Sequence, residues 1–130
     1  IDVSFPRAPK IVAKLRTGVM RRTNAASMCL LEGFLYAVGG GGLVSISVAN
    51  PRKPYTISKQ NTGVVSSYGG GAIGVQNSRL YVSGQGGFAV YLLENPSFPR
   101  KVATTYFSNI SPTRSQDLVL NDAVAYTFVG

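Results

Sequence analysis

The residue types that usually carry enzymatic chemistry are scarce in this chain. The sequence has no His and a single cysteine, Cys29. It therefore lacks the commonest general base and metal ligand, and alone it can form neither an internal disulfide nor a zinc site. Ser66 and Ser67 have no histidine to activate them, and Asp117 and Glu32 are too isolated to form the carboxylate pair of a glycosidase. We expect no catalytic residues, no metal and no cofactor in this stretch.

Two glycine clusters, at 39–42 and 69–71, invite comparison with phosphate-binding loops. Neither continues into Lys followed by Ser or Thr, and neither precedes a helix that could hold a phosphate at its N-terminus. The clusters are therefore interpreted as turns. Cys29 stands in an apolar run beside Leu30 and Leu31, which is typical of an inert core thiol. The triplet at 109–111 matches the glycosylation pattern, which matters only in a secreted chain.

The composition indicates a folded, basic domain. The 130 residues are 45% hydrophobic and 14% charged, with a formal net charge of +8, which is far from the composition of disordered chains. No apolar run approaches the roughly 18 to 20 residues of a membrane span, and no signal-peptide pattern begins at Ile1. We expect no transmembrane segment, while contact with a membrane surface stays open.

An internal repeat organises the whole chain. Six of the seven prolines form three Pro-x-x-Pro pairs, and each pair is 45 residues from the next: 6 and 9, 51 and 54, 96 and 99. The same offset aligns Tyr36, Tyr81 and Tyr126, and it places 17–19 on 62–64, both reading Thr-Gly-Val. A fixed period of this length is typical of repeat architectures.

Within one period the patterns favour strands over helices. Three apolar runs, at 72–76, 79–83 and 88–93, are separated by Asn77-Ser78 and by a glycine-rich turn, and a fourth run follows Pro99. Asn77-Ser78 predicts a two-residue hairpin, with Glu32-Gly33 and Asn121-Asp122 taken as its equivalents. Four strands in 45 residues is the size of a β-propeller blade. The predicted fold is all-β, built of four-stranded antiparallel blades.

Strands a to d of each blade can be assigned along the chain. Residues 1–15 would supply strands c and d of a first blade, 27–60 and 72–106 two whole blades, and 117–130 strands a and b of a last blade. Long connections from strand d to the next strand a occupy about 16–26, 60–71 and 106–116. Strand direction places the Pro-x-x-Pro turns and the a–b hairpins on one edge, and the glycine turns and d–a connections on the other.

Two segments resemble the LVIVD repeat, a family of β-propeller proteins. They are 42–54 (GLVSISVANPRKP) and 87–99 (GFAVYLLENPSFP). The acid that usually follows the aliphatic pair is kept only at Asp2, with Ser47 and Leu92 in the other repeats. The resemblance implies a propeller without shared catalytic residues, in a larger assembly or at a cell surface. An extracytoplasmic or organellar location is slightly favoured.

The repeat count leaves ring closure open, because propellers need four to eight blades and this chain carries three blades' worth. The favoured explanation is that the chain is a piece of a longer polypeptide that supplies the remaining blades. The alternative is that a second copy completes a six-bladed ring by joining its N-terminal c and d strands to the C-terminal a and b strands. A three-blade monomer would expose two sheet faces, which soluble proteins avoid.

Two groups of residues are candidates for binding. The d–a connections carry Arg21, Arg22, Tyr68 and Arg114, and they either form a ligand site at the mouth of the central channel or serve as ordinary linkers. Six cations flank the Pro-x-x-Pro turns: Arg7, Lys10, Arg52, Lys53, Arg100 and Lys101.

The six cations suit an acidic protein surface, a phosphate backbone or an anionic lipid, or they protect edge strands from unwanted pairing. Nucleic acid is less favoured, because only Tyr55 and Phe98 could stack on bases.

Two function classes remain. The favoured one is a non-catalytic scaffold that makes protein–protein contacts through its basic residues. The alternative is part of a propeller enzyme or ligand receptor whose active groups lie outside this segment.

Overall fold

The computed structural model describes residues 1–19, 27–66, 70–108 and 115–129. Over these ranges the chain has ten β-strands and no helix, so the all-β prediction is confirmed. Sheet 1 has the order β1 (Ser27–Leu31), β2 (Phe34–Gly39), β3 (Gly42–Ser47), β4 (Tyr55–Gln60). Sheet 2 has the order β5 (Gly71–Gln76), β6 (Arg79–Gly84), β7 (Gly87–Leu92), β8 (Arg100–Tyr106). Sheet 3 pairs β9 (Ser115–Asn121) with β10 (Val124–Val129). All pairings are antiparallel.

The first hairpin of each sheet is a tight turn with left-handed backbone. Asn77 and Ser78 have φ of 51° and 55°, and Glu32 has φ of 45°, as a two-residue hairpin of type I′ requires. In sheet 3 the predicted turn Asn121-Asp122 is wrong by one residue. Asn121 is the last residue of β9 and pairs with Val124, so the turn consists of Asp122, with φ of 46°, and the residue after it.

The repeated Thr-Gly-Val triplet connects neighbouring units of the chain. The amide of Gly86, in the turn between β6 and β7, donates to the carbonyl of Val64 at 2.8 Å, and Gly41 donates to Val19 at 3.0 Å. The Thr62 hydroxyl oxygen accepts from the amide of Val64 at 3.3 Å. The start of each of these two connections is thereby attached to the glycine turn of the sheet that follows it.

Residues 1–15, expected to form two strands, form only an isolated bridge between Asp2 and Lys10. The bridge has reciprocal hydrogen bonds of 2.7 and 3.0 Å. It lies 45 residues before the pair Ser47 and Tyr55, where β3 and β4 begin to pair. The turn therefore closes as in the later repeats. Within the described residues the segment pairs with none of the three sheets, and a two-stranded hairpin outside a larger sheet is at best marginally stable.

The main core lies between sheets 1 and 2. Its fully buried side chains include Tyr36 and Val38 from sheet 1 and Leu80, Val82 and Tyr91 from sheet 2. On the opposite face of sheet 1, the N-terminal segment packs through Val19 onto a smaller cluster: Ala37, Val44 and Ile46. Strand β5 contacts β1 and β2 on one side and β9 on the other. The three sheets are thus stacked in chain order through their first strands.

Two buried tyrosines in this core should respond differently to the removal of their hydroxyl groups. The Tyr36 hydroxyl donates to the carbonyl of Pro96 at 2.8 Å, whereas the buried Tyr91 hydroxyl has no partner among the described residues. Burial raises the pKa of each tyrosine to about 12. Tyr36→Phe should lower the free energy of unfolding by about 1 kcal/mol, and Tyr91→Phe should leave it unchanged or raise it by about 1 kcal/mol. Urea denaturation measures both, and equal losses would contradict the assignment.

Candidate interaction surface

The three Pro-x-x-Pro turns share one backbone geometry. The amides of Ala8, Lys53 and Phe98 each donate to the carbonyl three residues earlier, at 2.9, 3.0 and 3.0 Å. In two of the turns an Asn side chain adds a bond to the backbone: Asn50 accepts from the Arg52 amide and Asn95 from the amide two residues after it, both at 3.0 Å. Such Asx turns order the loop before any ligand arrives. The side chains on these turns therefore project from a preorganised backbone.

The third turn is docked on sheet 1. The Ser45 and Ser58 hydroxyls donate to the carbonyl of Ser97 at 2.7 and 2.9 Å, and the Gln60 amide donates to the carbonyl of Pro99 at 2.9 Å. Three side-chain donors on the carbonyls of one turn fix its position on the neighbouring sheet. The backbone carbonyls of this turn are therefore already hydrogen-bonded within the chain. Only its exposed side chains are available to contact a partner.

Four of the six predicted cations form the candidate surface. Arg7, Lys10, Arg52 and Lys53 are all exposed. The salt bridge between Arg100 and Glu94 is the only one within the described ranges, so none of these four is in an ion pair there. We call these four residues the basic turn surface. The base of the first turn, where Asp2 pairs with Lys10, lies close to the second turn, because Ile1 and Asp2 line the same cleft of about 310 Å³ as Arg52.

The other two predicted cations have partners inside the chain. The Arg100 guanidinium donates to both oxygens of Glu94, at 3.1 and 3.0 Å, and the Lys101 ammonium donates to the carbonyl of Thr62 at 3.1 Å. The Arg100 bridge is exposed and contributes little to stability. It does, however, cancel one positive charge at the third turn. The sequence offered no indication of the Lys101 contact, because Thr62 lies 39 residues away.

The predicted channel-mouth residues Arg21, Arg22, Tyr68 and Arg114 lie outside the described residues. Ser66, at the described start of one connection, donates from its hydroxyl to the Gln85 side chain at 2.5 Å. Beside that contact lies a shallow cleft of about 370 Å³.

The other groups considered for chemistry are not brought together. Burial raises the pKa of the Cys29 thiol to about 12, which keeps it protonated at neutral pH. Glu32 belongs to sheet 1 and Asp117 to sheet 3, with sheet 2 between them. Over the described ranges no group of three or more acids or cysteines is placed to hold a metal ion. No helix in the same ranges is long and apolar enough to cross a membrane.

One feature that the sequence did not suggest is a cleft of about 520 Å³ between sheets 2 and 3. Its lining includes Arg79, Tyr81 and Phe88 from sheet 2 and Leu120 and Asp122 from sheet 3. Tyr81 is the repeat equivalent of Tyr36, which the third Pro-x-x-Pro turn covers. The described part of sheet 3 has two strands and no such turn. The 45-residue offset identifies Tyr81 as the equivalent of Tyr36, but the cleft beside it depends on the extent of sheet 3, which the offset does not indicate.

Comparisons with known proteins found no matching family model, no matching curated protein and no matching solved structure.

Proposed function

We propose that this chain is a segment of a β-propeller of the LVIVD-repeat type and that it serves as a non-catalytic binding module. Its partner is an acidic protein surface, and its contact site is the basic turn surface. The fold part of the proposal is supported by two four-stranded antiparallel sheets that recur at 45 residues and stack through their first strands. The remaining blades would come from a longer chain or from another copy.

The observation that carries the binding proposal is the state of Arg7, Lys10, Arg52 and Lys53. These side chains are exposed and without ion pairs in the described structure, and they project from turns whose backbones are already hydrogen-bonded. A partner therefore has no internal salt bridge to break and little loop entropy to remove. Clustered charge of one sign also raises the rate of encounter with an opposite surface.

A polyanion is the second candidate. Tyr55 and Phe98 are each 59% exposed and lie in or directly beside the turns that carry the cations. An exposed aromatic next to a cation can stack on a nucleic-acid base. A third exposed aromatic, Phe5, lies in the first turn and is 74% exposed. Each turn thus supplies one such aromatic. We favour the acidic protein because the four cations without ion pairs in the described structure are the more numerous feature of these turns. The enzyme or receptor alternative places the active groups outside this segment and assigns no role to the turn residues.

The proposal is tested with Arg52→Glu/Lys53→Glu and a control of equal charge change, Lys14→Glu/Arg16→Glu. The four replaced residues are exposed, so both variants should fold. Fluorescence anisotropy measures binding of a labelled poly-glutamate peptide. The turn variant should bind about tenfold more weakly than the control, which corresponds to about 1.4 kcal/mol.

Two results would count against the acidic-protein partner. Equal weakening by both variants would mean that the peptide senses net charge and no particular surface. Tighter binding of a labelled single-stranded oligonucleotide than of the peptide, with loss of that binding in a Tyr55→Ala variant, would favour the polyanion instead.

A further inference from the structure

Both ends of the stack of sheets carry uncovered apolar side chains. On sheet 1, Met28 is 55% and Leu30 62% exposed; we call this pair the start face. On sheet 3, Val119 is 58%, Val124 50% and Tyr126 57% exposed; we call these three the end face. Val119 and Tyr126 are direct cross-strand partners, so the end face is one continuous side of the hairpin. Such exposed apolar patches mark interaction sites in stable proteins.

The start face has buried equivalents in the later sheets. The 45-residue offset places Met28 on Ile73, which is 6% exposed and packs into the core shared with sheet 1. The same offset places Leu118 and Leu120 in sheet 3. Their side chains approach Gly74 of sheet 2, where an added Cβ would lie 3.5 and 3.0 Å from them. At both internal junctions these positions therefore face the preceding sheet. The start face is the same surface without a sheet in front of it.

The end face corresponds to the opposite side of each sheet. Tyr36, Tyr81 and Tyr126 occupy one repeat position, and their burial follows the size of the next sheet. Tyr36 faces the four-stranded sheet 2 and is 0% exposed, whereas Tyr81 faces the two-stranded sheet 3 and is partly buried. Tyr126 has no following sheet in the described residues and is 57% exposed. The end face is thus the surface on which a following sheet would pack.

We propose that the start face of one copy of this chain packs on the end face of another, head to tail. The two faces are the two halves of one junction that the chain already forms twice, so a second copy supplies the correct register and side chains on both sides. The N-terminal segment covers other residues on the same side of sheet 1, through Val19. Met28 lines a cleft of about 360 Å³ beside that segment, but it stays 55% exposed and Leu30 62% exposed. First strands are the ones that meet at the internal junctions. A head-to-tail contact of this kind builds rings or open chains.

The test uses Leu30→Lys, which blocks the start face, and Val119→Lys, which blocks the end face. Both positions are exposed in a single copy, so circular dichroism and urea unfolding of dilute samples should match those of the unmodified chain. Sedimentation velocity should show concentration-dependent association of the unmodified chain beyond its 13.8 kDa monomer. Each variant alone should stay monomeric under the same conditions. Mixed together they should form a one-to-one dimer, because each retains the face that the other lacks.

The mixing experiment separates the possible arrangements. If the Leu30→Lys variant alone still formed dimers, end faces would be pairing with each other, and the head-to-tail proposal would be wrong. Association that neither substitution changes would place the contact elsewhere. An unmodified chain that stays monomeric at every concentration would show that something other than a second copy covers these faces. Because neither variant alters the basic turn surface, these outcomes are independent of the acidic-peptide test.

Discussion

Replacing Gly87 with alanine should strongly destabilise the protein. Gly87 begins β7 with φ of 155° and pairs with Tyr106 of β8. A Cβ at this position would overlap the carbonyl oxygen of Thr105 and lie 3.0 Å from the Cα of Tyr106. Both atoms belong to the backbone of β8, so relief requires moving a strand. We expect a loss of about 3 kcal/mol or more.

The matched control for this prediction is Gly33→Ala. Gly33 also has a positive φ, of 83°, but the nearest atoms to its added Cβ lie at 3.9 Å. This substitution therefore meets backbone strain without a steric overlap and should cost about 1 kcal/mol. Urea denaturation curves of the two variants give the comparison. If Gly87→Ala were no more harmful than Gly33→Ala, β7 and β8 could not lie as close as they do.

Truncating Leu80 to alanine should produce the second large effect. Leu80 is 0% exposed and belongs to the core between sheets 1 and 2. Removing its isobutyl group loses apolar burial and leaves a cavity between two sheets that relax only partly, which should cost about 3 kcal/mol. A shift of the urea midpoint without a change in slope would identify this as a loss of stability in an otherwise unchanged fold.

Leu30→Ala is the control, because it changes the same residue type at a position 62% exposed. In dilute, monomeric samples its effect should stay within about 0.5 kcal/mol. If Leu30→Ala and Leu80→Ala lowered the free energy of unfolding equally at low protein concentration, Leu80 could not be the more buried of the two residues. A Leu30 effect that grows with protein concentration would instead support the head-to-tail contact.

Local sequence patterns were sufficient for most of the secondary structure. The turn at Asn77-Ser78 follows from the tolerance of Asn for positive φ, and the Pro-x-x-Pro turns from the fixed φ and missing amide hydrogen of proline. Because each of these signals acts within a few residues, the repeat could be recognised without knowing how the sheets pack on one another. The register error at Asn121-Asp122 arose where the offset was applied one residue short, since Asp122 and not Asn121 is the equivalent of Asn77.

The candidate surface could be predicted only in part. The sequence placed all six cations beside the turns, but exposure and pairing depend on contacts between distant residues. The charge of Arg100 is offset by Glu94. The Lys101 ammonium keeps its charge, but its hydrogen bond to the Thr62 carbonyl holds it inside the chain's own contacts. The cleft beside Tyr81 also depends on how far sheet 3 extends over sheet 2. Spacing along the chain contains no information on such distances.

The chain's own residues determine its repeat, its all-β character and the positions of its turns, because backbone conformation at Gly, Pro and Asn is a local property. Its lack of histidine and its single cysteine likewise determine how few chemically reactive groups it has. Only the tertiary structure decides which residues at one repeat position are also equally buried and hydrogen-bonded. Tyr36 is covered and bonded whereas Tyr126 is exposed, because burial depends on the neighbouring sheet and the last sheet has no neighbour in the described structure.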